Sequence, residues 1–362
     1  MTTFGHSFLP GPTDVRPEIM QAMLEPMYFH RSPRLVSMLH EMQPVFRQMF
    51  GTTEPVFLET CSASGFMEAA IRNGVPQRVL VVVGGYFGEQ FASVAEGCGK
   101  EVIRVHVPPG ATIEPDQLEQ FLDGPPVDAV ALVHSESSTG ALAPLAELAR
   151  VVHRQPGVLL LVDSVTSVGA VPFEADAWGV DFAFTGSQKA LAIPPGLAVG
   201  MASSRFVERA LTIPSRGWYG SIPDLVRIAE TGALLHTPCL PLYHALAAQI
   251  RDIASAGGMP PRWARHAEML RRVETWVEAT PGTRLVAGPG RRSPAVSAIE
   301  LPASHSPPAV MAALAARGWT IARGLEPLAD RVIRIGHMGD LTPDHLSGLL
   351  AALSDVLREG SP

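Results

Sequence analysis

The feature that most constrains this chain is a rhythm through its middle. Short β-branched apolar runs, each closed by glycine or a small polar residue, alternate with stretches of helical periodicity. RVLVVVGG (78–85), EVIRVHV (101–107), DAVALVH (128–134), VLLLVD (158–163), VDFAFTG (180–186) and LAVGMAS (197–203) are almost continuously apolar, as strands are when both faces are buried. Between them lie GEQFASVAEGC and PLAELARVVHRQ, with apolar residues at helical spacing. Alternation of this kind predicts an α/β fold: a mostly parallel sheet with helices on both faces and ligands beyond the carboxyl ends of its strands.

The texture changes near residue 255. A long helical stretch, PPRWARHAEMLRRVETWVEAT, leads into the strand patterns VSAIELP, WTIAR and RVIRIG and then a final helix at LTPDHLSGLL. Thr342 is placed to cap that helix, with Pro343 at its first position. The expected division is a large domain over 16–254 and a smaller α+β domain over 255–362, preceded by an N-terminal segment, 1–15.

Composition removes several function classes. A net charge of -7 with acidic and basic residues interspersed offers no basic field for nucleic acid. No apolar run approaches the roughly 20 residues that span a bilayer, and the N-terminus lacks a signal pattern, so a cytoplasmic location is expected. Cys61, Cys98 and Cys239 are widely spaced and form no C-x-x-C, which argues for reduced thiols. The twelve histidines show neither H-x-x-x-H nor H-E-x-x-H, and no metal is expected.

Of the 28 basic residues only Lys100 and Lys189 are lysine. Lys189 lies in TGSQKALAIPPGL, a glycine, serine and proline stretch just past an apolar strand, where a tight loop at a ligand rim is expected. Lys100 follows GCG at the start of a strand and reads as a solvated charge. Asp163 ends VLLLVD at the carboxyl edge of the same sheet. A lysine holding an aldehyde and a carboxylate facing a pyridine nitrogen would together make an electron sink.

The block VLLLVDSVTSVGAVPFEADAWGVDFAFTGSQKALAIPPGLA resembles the centre of class V, fold-type I pyridoxal-phosphate aminotransferases, the group containing alanine:glyoxylate and serine:pyruvate enzymes. LPGPTDVRPEIM near the start, SASGFMEAA (62–70), HSESSTG (134–140) and RIGHMGD (334–340) extend the resemblance over nearly the whole chain. It implies that Lys189 carries pyridoxal 5'-phosphate as a Schiff base and acts as general acid and base, and that Asp163 contacts the pyridine nitrogen. It places Val165 and Phe87 against the two ring faces and Ser138 at the ring hydroxyl. Ser64, Gly65, Phe66 and Gln188 are assigned to the phosphate, which suits a helix N-terminus. Relatives add a tyrosine and a threonine from the partner subunit of a homodimer. Here those positions are Leu234 and Thr237, so the tyrosine is lost. Arg334 matches the arginine that binds the substrate carboxylate, a task suited to a guanidinium fork. Arg331 and Arg323 have less support, and the backbone of Leu9 to Thr13 is assigned to the substrate side.

The resemblance implies ping-pong transamination from a small amino acid, alanine or serine, to an oxo acid, glyoxylate or pyruvate. Another transaminase specificity, a cysteine desulfurase or lyase, and a non-catalytic relative are the rivals. A desulfurase would want a cysteine beyond Cys239, and none follows. VVVGGYFGEQ lacks the G-x-G-x-x-G spacing of a dinucleotide site. His134 and His337 sit in matched blocks, either lining the site or satisfying the core.

Overall fold

A computed structural model describes residues 4–359. Its central sheet uses β1 (Phe57–Glu59), β2 (Arg78–Val83), β3 (Glu101–His106) and β4 (Ala129–Val133). A small hairpin of β5 (Ser135–Glu136) and β6 (Ala141–Leu142) follows, and then β7 (Leu159–Asp163), β8 (Phe182–Gly186) and β9 (Ala198–Ala202). The order is β1-β9-β8-β7-β4-β2-β3. The pairs β2·β3, β2·β4, β4·β7 and β7·β8 are parallel, whereas β9 runs antiparallel to both β8 and β1.

The continuous apolar runs have a simple cause. Alternate side chains enter two different cores. In β2, Leu80 and Val82 join one core while Val79, Val81 and Val83 join the other. Val130 and Leu132 against Ala129 and Ala131 repeat the division in β4, and Leu160 and Val162 against Leu159 and Leu161 repeat it in β7. The first core is closed by helices Pro33–Phe50 and Leu240–Ser255, the second by Ala63–Gly74 and Tyr86–Gly97.

A second, antiparallel sheet of β10 (Arg284–Leu285), β11 (Val296–Glu300), β12 (Ala322–Arg323) and β13 (Val332–Gly336) has the order β10-β11-β13-β12. Helices Met259–Ala279 and Pro343–Glu359 pack on it around Leu346, Leu349 and Leu353. Thr342 caps the last helix as its sequence foretells, its hydroxyl accepting from His345 N at 3.3 Å. The N-terminal segment first joins this sheet: Phe8 N donates to Thr320 O at 2.7 Å, Gly336 N to Phe8 O at 2.8 Å, and the Phe8 ring enters that core. Residues 10–13 then cross to the carboxyl edge of the large sheet, where they meet Lys189.

Candidate active site

Lys189 lies in the return from β8 to β9, a connection too short for the crossover helix that a parallel pair would need. Ser187 ties the return together, its hydroxyl donating to Pro194 O at 2.8 Å and accepting from Leu197 N at 3.2 Å. Thr13 grips it from the N-terminal segment, its N–H on Gln188 O at 2.9 Å and its hydroxyl on Lys189 O at 3.1 Å. The amine is buried and donates to Pro10 O. Gly11 makes that approach possible. Its φ is +116°, and a Cβ there would stand 2.7 Å from both Cδ and Cε of Lys189. Burial brings the Lys189 amine down to about 8 against the opposing pull of Asp163, and Arg334 lowers it further.

Asp163 ends β7, the strand paired with β8 that leads into the lysine return, and is 4% exposed. Its Oδ1 accepts from Val165 N at 2.9 Å. Burial raises it to about 7, and nearby Glu136 raises it too, while the Val165 N–H and Lys189 work in the other direction. A carboxyl in this state favours a cationic partner at its free oxygen.

Two helices begin at this edge of the sheet, and their N-termini differ. The first amides of Tyr86–Gly97 are taken: Phe87 N and Gly88 N each donate to Glu136 Oε2 at 3.1 Å. Helix Ala63–Gly74 follows Ser62, which makes no side-chain cap, and its opening residues Ser62, Ser64 and Gly65 are exposed. One positive dipole end is therefore neutralised within the chain and the other is left open.

Lys189, Asp163, Val165, Phe87, Ser64 and Gln188 share the wall of one cavity of ≈ 280 Å³, together with Ser62, Gln90, Ser135 and Thr166. The Lys189 amine is 5.9 Å from the centre of the Phe87 ring. Other positions singled out in the sequence are not on that wall. Gly65 directs its N–H to Ser62 O at 2.8 Å, and the Phe66 ring is in the core against Phe57 at 5.4 Å. Ser138 is occupied locally, donating to Glu136 Oε1 at 2.5 Å and accepting from Tyr86 N at 3.1 Å. Thr237 is exposed on the single chain, and Leu234 packs against the core.

Arg334 sits on β13, with Nε on Arg323 O at 2.9 Å and Nη1 on Ser137 O at 3.3 Å. Among the described residues no carboxylate pairs with it. Burial lowers its pKa, and Glu136 is the charge that opposes this. Arg323 and Arg331 are instead paired with Asp330 and Glu300. His134 is a core residue, edge-on to Phe173 at 5.5 Å and pushed by burial to about 3; His337 is bound to Ser297 at 2.8 Å and pushed to about 4. Sequence reasoning missed Glu136, whose only signal was an acid placed within a serine-rich matched block.

The family model "Aminotransferase class-V" matches residues 79–332. The chain belongs to the class-V aminotransferase family. The L-aspartate–glyoxylate aminotransferase of Paracoccus denitrificans is 32% identical over 100% of this chain and 93% of its own length. The serine–glyoxylate aminotransferase of Methylorubrum extorquens is 30% identical over 96% and 89%. A crystal structure of alanine–glyoxylate aminotransferase from Nostoc sp. superimposes with a TM-score of 0.92 at 31% identity, covering 99% of this chain and 96% of that one. This class-V aminotransferase is a pyridoxal-phosphate-dependent transaminase with the fold-type I architecture.

The cavity suits that cofactor on its own chemistry. It holds a single amine, a buried carboxyl that favours a cationic partner, apolar Val165 and Phe87 surfaces, and an uncapped helix N-terminus for an anion. Among the described residues no cluster of His, Cys, Asp or Glu side chains could hold a metal ion, and no helix is long and apolar enough to cross a membrane.

Proposed function

We propose that this aminotransferase moves an amino group from alanine or serine to glyoxylate or pyruvate in two half-reactions. The observation that carries the reading is the convergence of Lys189 and Asp163 on one buried cavity. Relatives named for serine and alanine support donors with small neutral side chains. Relatives named for glyoxylate support the acceptor. No cysteine lines the cavity among the described residues, which disfavours the desulfurase reading.

Pyridoxal phosphate, when bound, supplies an aldehyde carbon and an electron-withdrawing ring. Lys189 would hold it and, once released by the amino acid, moves a proton at Nζ from the substrate Cα to the carbon that had been the cofactor's aldehyde. A pKa near 8 suits that exchange close to neutral pH. Asp163 stabilises positive charge at the ring nitrogen, and Val165 and Phe87 hold the ring between apolar surfaces. The open helix end at Ser64, Gly65 and Phe66 receives the phosphate through backbone N–H groups, Gly65 by giving up its present bond to Ser62 O, with Gln188 beside it. Ser138 serves the ring hydroxyl through a change of its present bonding. Arg334, without a carboxylate of its own, receives the substrate carboxylate.

The proposal includes a cytoplasmic homodimer in which Thr237 reaches the neighbouring subunit's phosphate, with domains at 16–254 and 255–362. Exposed Leu24, Met27, Phe29 and Trp218 support a covered face, and the separate second sheet supports the division. The test is a matrix of L-alanine, L-serine and L-aspartate against glyoxylate and pyruvate. Turnover led by alanine or serine supports the reading; preference for aspartate by tenfold or more would overturn the donor assignment.

A further inference from the structure

The return that carries Lys189 is also gripped from behind by a buried arginine. Arg262 lies in the first turns of helix Met259–Ala279 and is 6% exposed. Its Nη2 donates to the carbonyl of Ala190, the residue after Lys189, and its Nη1 donates to Asp340 Oδ1 at 2.8 Å. Asp340 is itself fixed by Arg16 Nε at 2.6 Å and Gln249 Nε2 at 2.9 Å. Arg262 is thus a planar fork set between two acceptors on separate segments, a geometry that a guanidinium holds and an ammonium does not.

The return needs holding. Ala192 has φ +51°, the only described non-glycine residue in the left-handed region, a conformation that costs an L-residue roughly 1–2 kcal/mol. Gly339, one residue before Asp340, passes so close that a Cβ on it would lie 3.0 Å from that of Ala192. Thr13 fixes Gln188 and Lys189 from one side, and Arg262 fixes Ala190 from the other.

We propose that Arg262, seated by Asp340, is a positioning residue for Lys189: it fixes the strained return that aims the amine into the cavity. The inference rests on Lys189 being the reactive lysine. A group misplaced by about 1 Å can cost on the order of 100-fold in rate, so the effect belongs in kcat. An arginine that merely stabilised the fold would leave the amine's chemistry unchanged.

The two-lysine composition permits a direct test. The full-length chain without cofactor is acylated with an amine-selective reagent across pH, and mass spectrometry compares the Lys189 peptide with Lys100. Arg262→Met is expected to move the Lys189 profile upward from about 8 toward 10.5 as its burial loosens. In the cofactor-saturated enzyme kcat should fall roughly 10- to 100-fold, with KM for the amino acid changed less than about twofold. Arg262→Lys should recover part of both effects. Arg272→Met, which removes contacts of the same helix to Pro343 O and Ser347 away from the return, should leave both near wild type.

A folded Arg262→Met chain with a wild-type Lys189 profile and kcat would overturn the proposal. If that variant does not fold, Arg262→Lys decides, and a wild-type profile there overturns it equally. Borohydride reduction of the wild-type holoenzyme separates the two readings. Cofactor fixed on any residue other than Lys189 removes the underlying assignment, whereas cofactor on Lys189 with an unaffected Arg262 variant removes only this inference.

Discussion

At the residue scale, Asp163 has opposite expected effects on stability and activity. In the cofactor-free chain its pKa of about 7 lies above the ordinary 3.8, so the folded state takes up a proton that the unfolded state lacks between those values. Stability from this group therefore rises as pH falls from about 7 toward 4, and the burial cost is fully present at pH 8. Asp163→Asn should stabilise the cofactor-free chain at pH 8 by on the order of 2–4 kcal/mol, and by little near pH 4. Urea unfolding at the two pH values checks this. The same variant should lose at least about 100-fold in activity with cofactor bound, because the ring nitrogen loses its counter-charge. Arg334→Gln should lower kcat/KM by about 10- to 100-fold, mainly through KM, as expected for one charged hydrogen-bonding group. Lys189 was legible because only two lysines compete for the role, and Asp163 because it closes an apolar run. Glu136 was not: an acid among serines reads as a polar turn, and its burial against helix Tyr86–Gly97 arises only when distant segments meet.

At the element scale, helix Ala63–Gly74 is left open where Tyr86–Gly97 is capped. Ser64→Asp would place a negative charge at that open end. It should raise the thermal midpoint of the cofactor-free chain slightly, by a helix-dipole gain of about 0.3–1 kcal/mol, yet weaken pyridoxal phosphate binding at least tenfold, as read by equilibrium titration. A variant that bound the cofactor normally would show that the phosphate lies elsewhere. The strand runs were readable because burial on both faces leaves a continuous apolar signature; β3 departs from this, since it is the edge strand and its Glu101 and His106 are exposed. The antiparallel direction of β9 was not, since LAVGMAS has the same pattern either way and the brief return through Lys189 decides it. β12 falls inside the WTIAR pattern, whereas β10 is two residues long and carries no periodicity to read.

For the whole molecule, Leu24 at 71%, Met27 at 70% and Phe29 at 64% exposure cluster in one short segment, whereas exposed Phe121, Leu211 and Trp218 lie apart from it in the sequence. Met27→Glu combined with Phe29→Glu should shift sedimentation from dimer toward monomer while leaving the far-ultraviolet dichroism unchanged. If Thr237 then fails to reach a neighbouring site, cofactor affinity should fall with it. A surface of this kind leaves no signature in one sequence, because exposed and interface apolar residues look alike until the core is known. The crossing of the N-terminal segment from the small sheet to Lys189 was equally unreadable, since it depends on Phe8 pairing with residues more than three hundred positions away.

The most direct test of the central claim is the visible spectrum of the purified protein, before and after L-alanine or L-serine is added without an oxo acid, beside Lys189→Ala. A band from bound pyridoxal phosphate that the amino acid converts to the pyridoxamine form, and that glyoxylate or pyruvate restores only when Lys189 is present, is the predicted result. A protein that takes up no cofactor, or a Lys189→Ala variant that cycles as well as wild type, would contradict it.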